Sequence, residues 1–161
     1  MQDEYERKYP FNAIIGQDHA KLALILNAID PTIGGALISG PKGTGKSLLV
    51  EAFQEILPEA DFVTDCPFRC NPKDPTNMCL NCMELNPDLK THREKVRLVQ
   101  VPLSVTEDML VGSLDMEKAV GQGIKALEPG LLAEANQGFL YIDEVNLLPD
   151  HITDSILDAA A

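Results

Sequence analysis

The 161-residue chain reads as one α/β domain on a parallel sheet, a core of three layers, and three observations predict it. Two short apolar runs, Ala36-Leu37-Ile38 and Phe139-Leu140-Tyr141-Ile142, have the unbroken hydrophobicity of parallel strands covered on both faces. The first leads through a Gly-rich loop into residues of helical periodicity, a strand-loop-helix unit of the kind that parallel sheets are made from. With 45% hydrophobic and 24% charged residues the composition is that of a folded chain, which excludes disorder and low complexity.

Along the chain, residues 1–12 are polar, close near Pro10 and form a loose leading segment. Over 17–29, Ala20, Leu22, Ala23, Leu24, Ile25, Leu26 and Ala28 surround most of a helix, which predicts burial on several sides. Asp30-Pro31 stops it, and Gly34-Gly35 lead into the first strand. After the loop, Leu48, Leu49, Ala52, Phe53, Ile56 and Leu57 recur at helical spacing until Pro58. Residues 58–97 hold all four cysteines together with Pro58, Pro67, Pro72, Pro75 and Pro87, and read as a Cys/Pro-rich insertion within the 1–161 domain. Alternation over 96–101 predicts a strand ending at Pro102. Helical stretches are predicted over 106–110 and 114–120. Another opens at Glu128-Pro129-Gly130-Leu131, with Pro just inside its start, and ends near Asn136-Gln137-Gly138. The strand over 139–142 follows, then Asp150 as the cap of a last helix running to Ala161.

Gly40-Pro41-Lys42-Gly43-Thr44-Gly45-Lys46-Ser47 fits the Walker A pattern, a phosphate loop between strand and helix. The residue types follow from the chemistry. Gly43 and Gly45 let successive backbone N–H groups turn toward phosphate oxygens, and the helix that starts at Leu48 and its neighbours offers its positive end. Lys46 reaches the β- and γ-phosphates, and the Ser47 hydroxyl is placed to ligate Mg²⁺. The acids that close the second strand resemble Walker B: Asp143 holds Mg²⁺ and Glu144 polarises the attacking water. ATP and Mg²⁺ are thus the expected cofactors.

Cys66, Cys70, Cys79 and Cys82, spaced C-x3-C-x8-C-x2-C, fit a tetrahedral Zn²⁺ site; a redox-responsive thiol pair, an iron-sulfur site and unligated thiols are the other readings. Thirteen basic against 25 acidic residues leave a net charge of −12, which repels a phosphate backbone and argues against nucleic acid. Few aromatics are present to stack on bases. No apolar run approaches the roughly 18 residues of a membrane span, and no signal segment opens the sequence, which points to the cytoplasm.

Further blocks resemble the magnesium chelatase I-subunit family of AAA+ ATPases from about Phe11 to Ala161, the cysteine segment excepted. They include Phe11-Asn12-Ala13-Ile14-Ile15-Gly16-Gln17, Asn27-Ala28-Ile29-Asp30-Pro31, Val111-Gly112-Ser113-Leu114-Asp115, Glu128-Pro129-Gly130-Leu131-Leu132-Ala133 and Asp143-Glu144-Val145-Asn146-Leu147-Leu148. The resemblance implies a P-loop AAA+ motor whose ATP hydrolysis drives Mg²⁺ insertion into a porphyrin. It also implies a homo-oligomeric ring, usually hexameric, with a D-type AAA+ subunit and a porphyrin-binding H-type subunit as partners. By position, Ile15 and its neighbours contact adenine, while Gly40, Pro41, Lys42, Gly43, Thr44, Gly45, Lys46, Ser47 and Leu48 hold the nucleotide. The chain stops before the family's sensor 1 strand, arginine finger and helical lid, so these 161 residues alone are expected to hydrolyse ATP poorly. Two other readings keep the same loop: a MoxR-like AAA+ chaperone for metal insertion or complex remodelling, and a nucleotide-gated scaffold without turnover. A DNA-helicase relative stays open on fold alone, with the acidity and the missing basic patches counting against it.

Overall fold

A computed structural model describes residues 9–85, 89–114 and 127–160. Their contacts group into two compact units, Met1–Leu57 with Ala160–Ala161, and Pro58–Ala159. Among the described residues no helix is long and apolar enough to cross a membrane.

The first unit is helical. A 3-10 turn at Phe11–Ala13 precedes α1 (Asp18–Ile29), a second at Pro31–Ile33 follows it, and α2 (Lys46–Ile56) leaves the Gly-rich loop directly. α1 ends where Asp30 turns extended and its carboxylate accepts the Thr32 N–H at 3.0 Å, with Pro31 opening the next turn. α2 buries Leu49, Val50, Ala52 and Phe53 along one face, and the Phe11 and Phe53 rings lie 6.0 Å apart. Burying a side chain of this size contributes about 1.5–3 kcal/mol. The helix stops at Ile56, where Leu57 turns extended ahead of Pro58.

Two expectations fail in this unit. Ala36, Leu37 and Ile38 form no strand, and Leu37 is 84% exposed. α1 is not buried around its circumference: only Leu24 is covered, while Leu22, Ile25, Leu26 and Ile29 face solvent. The two share a cause. The described residues of this unit contain no strand, so within it Ala36-Leu37-Ile38 has no ladder partner and α1 no sheet to lie against.

Among its described residues the second unit holds six strands in three pairs. β1 (Glu59–Val63) and β2 (Thr91–Lys95) pair antiparallel from Glu59↔Lys95 to Val63↔Thr91, and between them lie a 3-10 turn at Pro75–Asn77 and α3 (Leu80–Leu85). β3 (Leu98–Val101) is followed by α4 (Glu107–Val111), β4 (Gly112–Leu114), β5 (Leu127–Pro129), α5 (Leu131–Glu134) and β6 (Phe139–Ile142). β4 and β5 pair antiparallel, while β3 and β6 pair parallel in the register Leu98↔Phe139 to Val101↔Ile142. A 3-10 turn at Val145–Leu147 leads to α6 (Asp150–Ala160). Val101, Val105, Leu110, Leu148, Ile152 and Ile156 form the core, with Leu131, Leu132, Leu140 and Ile142 packed on it. This parallel pair, flanked by helices, bears out the α/β class.

Several boundaries move. The insertion rests on a hairpin that the sequence hides, because β2 reads Thr-His-Arg-Glu-Lys and carries no apolar alternation. Pro129 ends β5 instead of opening a helix, and α5 closes at Glu134, short of the turn over 135–137. β6 is half-buried along its length, less covered than expected. Asp150 is the first residue of α6, not its cap; the Pro149 carbonyl receives the N–H groups of Ile152 and Thr153 at 3.0 and 3.1 Å. Of the helix expected over 114–120, Leu114 ends β4 and the rest lies outside the described residues, as does most of the leading segment.

Candidate functional site

The phosphate loop is held by short-range bonds and by one that reaches it from Gln17, 27 positions away. Gly43 and Gly45 sit at φ +83° and +79°, where a side chain would be strained, and they bend the backbone into the start of α2. Thr44 Oγ1 donates to the Pro41 carbonyl at 2.9 Å, and Gln17 Nε2 donates to the Thr44 carbonyl at 2.6 Å. Lys46 Nζ donates to the carbonyls of Gly40 and Pro41, both at 2.8 Å, so the ammonium lies across the loop. No side chain caps α2, because Gly45 occupies the capping position. The positive end of an 11-residue helix, a lysine ammonium and glycine-bent backbone meet in one loop, and an oligophosphate needs that set of donors.

Ser47 and Leu48 take the second and third positions of α2, and Lys42 is exposed at the loop's bend. Ile15 is 98% exposed, just before α1, beside the buried Ile14 whose carbonyl accepts from Lys21 Nζ. Gln17 is a residue that motif reading passes over. Its left-handed backbone, φ 55°, starts α1 and brings its amide to the loop, and no local sequence signal announces that reach.

Asp143 and Glu144 follow β6 in the second unit, directly beyond the C-terminal end of the parallel pair, where α/β folds gather their chemistry. Asp143 is half-buried and Glu144 exposed. Glu144 has φ 55° and ψ 54°, a left-handed conformation that costs a non-glycine residue about 1–3 kcal/mol and that concentrates at functional sites. The Leu147 N–H donates to its carbonyl at 2.8 Å and fixes the turn.

The four cysteines, far from regular structure in the sequence reading, come together. Their sulfurs all lie within 4.8 Å of one another, Cys70 and Cys82 buried, Cys66 and Cys79 half-buried, and none is in a disulfide. Burial pushes the Cys70 thiol up to about 11 and the Cys82 thiol higher still. Burial also acts on Cys66, but hydrogen bonds from the N–H groups of Cys70 and Phe68 and from the Cys82 thiol outweigh it and leave Cys66 below the usual thiol value. Arg69 is paired elsewhere: it bonds Glu94 and stacks 4.0 Å over the Phe62 ring. Burial raises the Glu94 carboxyl, yet Arg69 and then Arg97 and His92 more than offset this and hold it below the carboxylate range. A cavity of about 530 Å³ is lined by this Arg69-Glu94 pair, Cys66 and Leu131, and by neither Asp143 nor Glu144.

The family model described as magnesium chelatase, subunit ChlI, matches residues 10–66, from the first turn through the phosphate loop. A Methanocaldococcus jannaschii protein described as a magnesium-chelatase subunit ChlI homolog is 57% identical over 155 residues, 95% of this chain and 42% of its own length. The magnesium-chelatase subunit ChlI of Synechocystis is 50% identical over 156 residues, 95% of this chain and 44% of its own. The chain belongs to the magnesium chelatase I-subunit family. Among solved structures, the complex between subunits BchI and BchD of magnesium chelatase, based on a cryo-EM reconstruction, superposes with a TM-score of 0.75 at 47% identity. That match covers 94% of this chain and 46% of the other. The AAA+ fold expected from the sequence is therefore the fold of this I-subunit relative, which spans less than half the length of the curated proteins it matches.

Proposed function

We infer that this chain carries the ATP-binding and ATP-hydrolysing machinery of a magnesium chelatase-type complex, a motor whose turnover drives Mg²⁺ insertion into a porphyrin. The observation that carries the reading is Lys46 Nζ laid across the loop, 2.8 Å from the Gly40 and Pro41 carbonyls, at the uncapped start of α2. An ammonium so placed needs only to exchange two neutral carbonyl acceptors for anionic β- and γ-phosphate oxygens, which adds the attraction of opposite charges to the hydrogen bonds.

The other roles follow from position. The loop from Gly40 to Leu48 cradles the phosphates, and the exposed Ile15 side chain gives adenine an apolar contact. Ser47 and Asp143 hold the nucleotide's Mg²⁺, which when bound neutralises the phosphate chain. Glu144, aimed by its left-handed backbone, takes a proton from the attacking water. The whole of 1–161 acts as an ATP-binding domain, with 58–97 inserted in it, inside a homo-oligomeric ring. A D-type subunit is its partner, in keeping with the BchI–BchD complex it resembles, and an H-type subunit brings the porphyrin. The thiols of the insertion take no part in this chemistry and need a reducing compartment such as the cytoplasm.

Two measurements test the reading. The chain should bind ATP or ADP in a Mg²⁺-dependent way, and no such binding would overturn the nucleotide site. ATP hydrolysis by the ring should rise with D-type and porphyrin-loaded H-type subunits. Stimulation by unrelated protein complexes instead would turn the reading toward a chaperone.

A further inference from the structure

The loop between β1 and β2 has very little to hold it. Its hydrophobic cluster is Val63, Cys70, Met78 and Cys82, with Cys66, Phe68, Cys79 and Leu89 on its margin, so half the members are cysteines. A core this small cannot order a Pro-rich segment through burial alone. The sulfurs themselves point to what does. Cys66 Sγ and Cys79 Sγ are 3.9 Å apart. Four sulfurs at about 2.3 Å from a central zinc stand about 3.8 Å from one another. A disulfide would need about 2.05 Å.

Backbone donors are aimed at the same atoms. The Cys79 N–H donates to Cys70 Sγ at 3.1 Å, and the N–H groups of Cys70 and Phe68 point at Cys66 Sγ. Donors of this kind stabilise metal-bound thiolates and fix their direction. Four neutral thiols in one small volume are poor partners, and four thiolates repel; a divalent cation between them removes both difficulties. The donor set is all sulfur and four in number, which matches a closed structural site for zinc with no position left for a substrate.

The loop is also tied to a distant turn. Asn136 Nδ2 donates to the Phe68 and Arg69 carbonyls at 2.8 and 3.3 Å, and Gln137 Nε2 donates to the Arg69 carbonyl at 3.1 Å. Both residues sit in the turn from which β6 starts, and Asp143 follows β6.

We propose that Cys66, Cys70, Cys79 and Cys82 bind one Zn²⁺ as thiolates, and that the ion, by fixing the 66–70 turn, holds the turn that launches β6. Four S–Zn bonds form, and the four thiol protons pass to solvent. The proposal stands apart from the nucleotide reading, since neither the metal content nor the β6 effect needs ATP.

Metal analysis of the full chain purified under reducing conditions with zinc supplied should give about one zinc per chain, and X-ray absorption should give four sulfur neighbours at about 2.3 Å. Cys70→Ser and Cys82→Ser should each lose the metal; should they fail to fold, the wild-type analysis still decides. Chelation should make the amides of 138–142 exchange about tenfold or more faster, with those of α2 unchanged. In the Asn136→Ala, Gln137→Ala double variant, zinc should stay bound while 138–142 exchange fast with or without it. Metal-free protein, bound iron in place of zinc, a shell containing nitrogen or oxygen, or a Cys66–Cys79 disulfide would overturn the site. Exchange at 138–142 that ignores chelation, or rises equally in α2, would overturn the link to β6.

Discussion

The phosphate loop and the cysteine loop are both short of apolar residues, and they are held in opposite ways. The residues at 40–47 are exposed or half-buried, and the bonds of Thr44 and Lys46 stay within six positions of their donors. In the cysteine loop Cys70, Cys82 and Arg69 are buried, and its anchors Asn136 and Gln137 lie 67 or 68 positions away in the sequence. The loop proposed to exchange its partner keeps an open face and bonds that are mostly local, Gln17 reaching in from 27 positions away. The loop proposed to keep its ion is enclosed and tied down from afar.

This contrast sets what each substitution should disturb. The largest effect belongs to Glu144→Gln, which should lower ATP turnover of the assembled ring about 10²- to 10⁴-fold while ATP affinity holds within about threefold. Equal losses in affinity and turnover would refute the assignment of Glu144 to the water. Lys46→Ala comes next: ATP affinity, by calorimetry, should fall about 10- to 100-fold with the melting temperature nearly unmoved. A collapse of stability there would mean that the phosphate loop is structural after all, and the contrast would fail.

On the cysteine side the readouts should reverse. Gly138→Ala places a Cβ about 2.6 Å from the Arg97 carbonyl, beside the bond from Phe139 N–H to the same oxygen. It should cost about 1–3 kcal/mol in denaturant unfolding, and ATP affinity should not follow. The smallest change is Gln17→Ala, which removes one hydrogen bond to Thr44 and should weaken ATP by a few-fold, about 0.5–1.5 kcal/mol. No change in affinity would remove Gln17 from the loop's support.

Sequence legibility followed the range of the forces involved. The phosphate loop, α2, β3 and β6 were readable because glycine geometry, helical spacing and strand alternation are local properties. Ala36-Leu37-Ile38 looked like β6 and is not, because a strand is made by its neighbour and the described residues of that unit supply none. The exposure of Leu22, Ile25 and Leu26 in α1 has the same origin. β2 was invisible for the opposite reason: its polar residues are organised by pairing with β1, where Phe62 and Val63, on opposite faces, carry the burial. The four thiols could be counted in the sequence, yet the turn that carries two of them is tied to Asn136 and Gln137, which no spacing rule connects to them.

Glu144 carries one more consequence in its backbone. Glycine would relax the left-handed bend, so Glu144→Gly should make the polypeptide harder to unfold while deleting the side chain that the proposed reaction needs. Robustness and catalysis then pull in different directions at a single position, and a screen that selects survivors of heat would enrich for a motor that no longer runs.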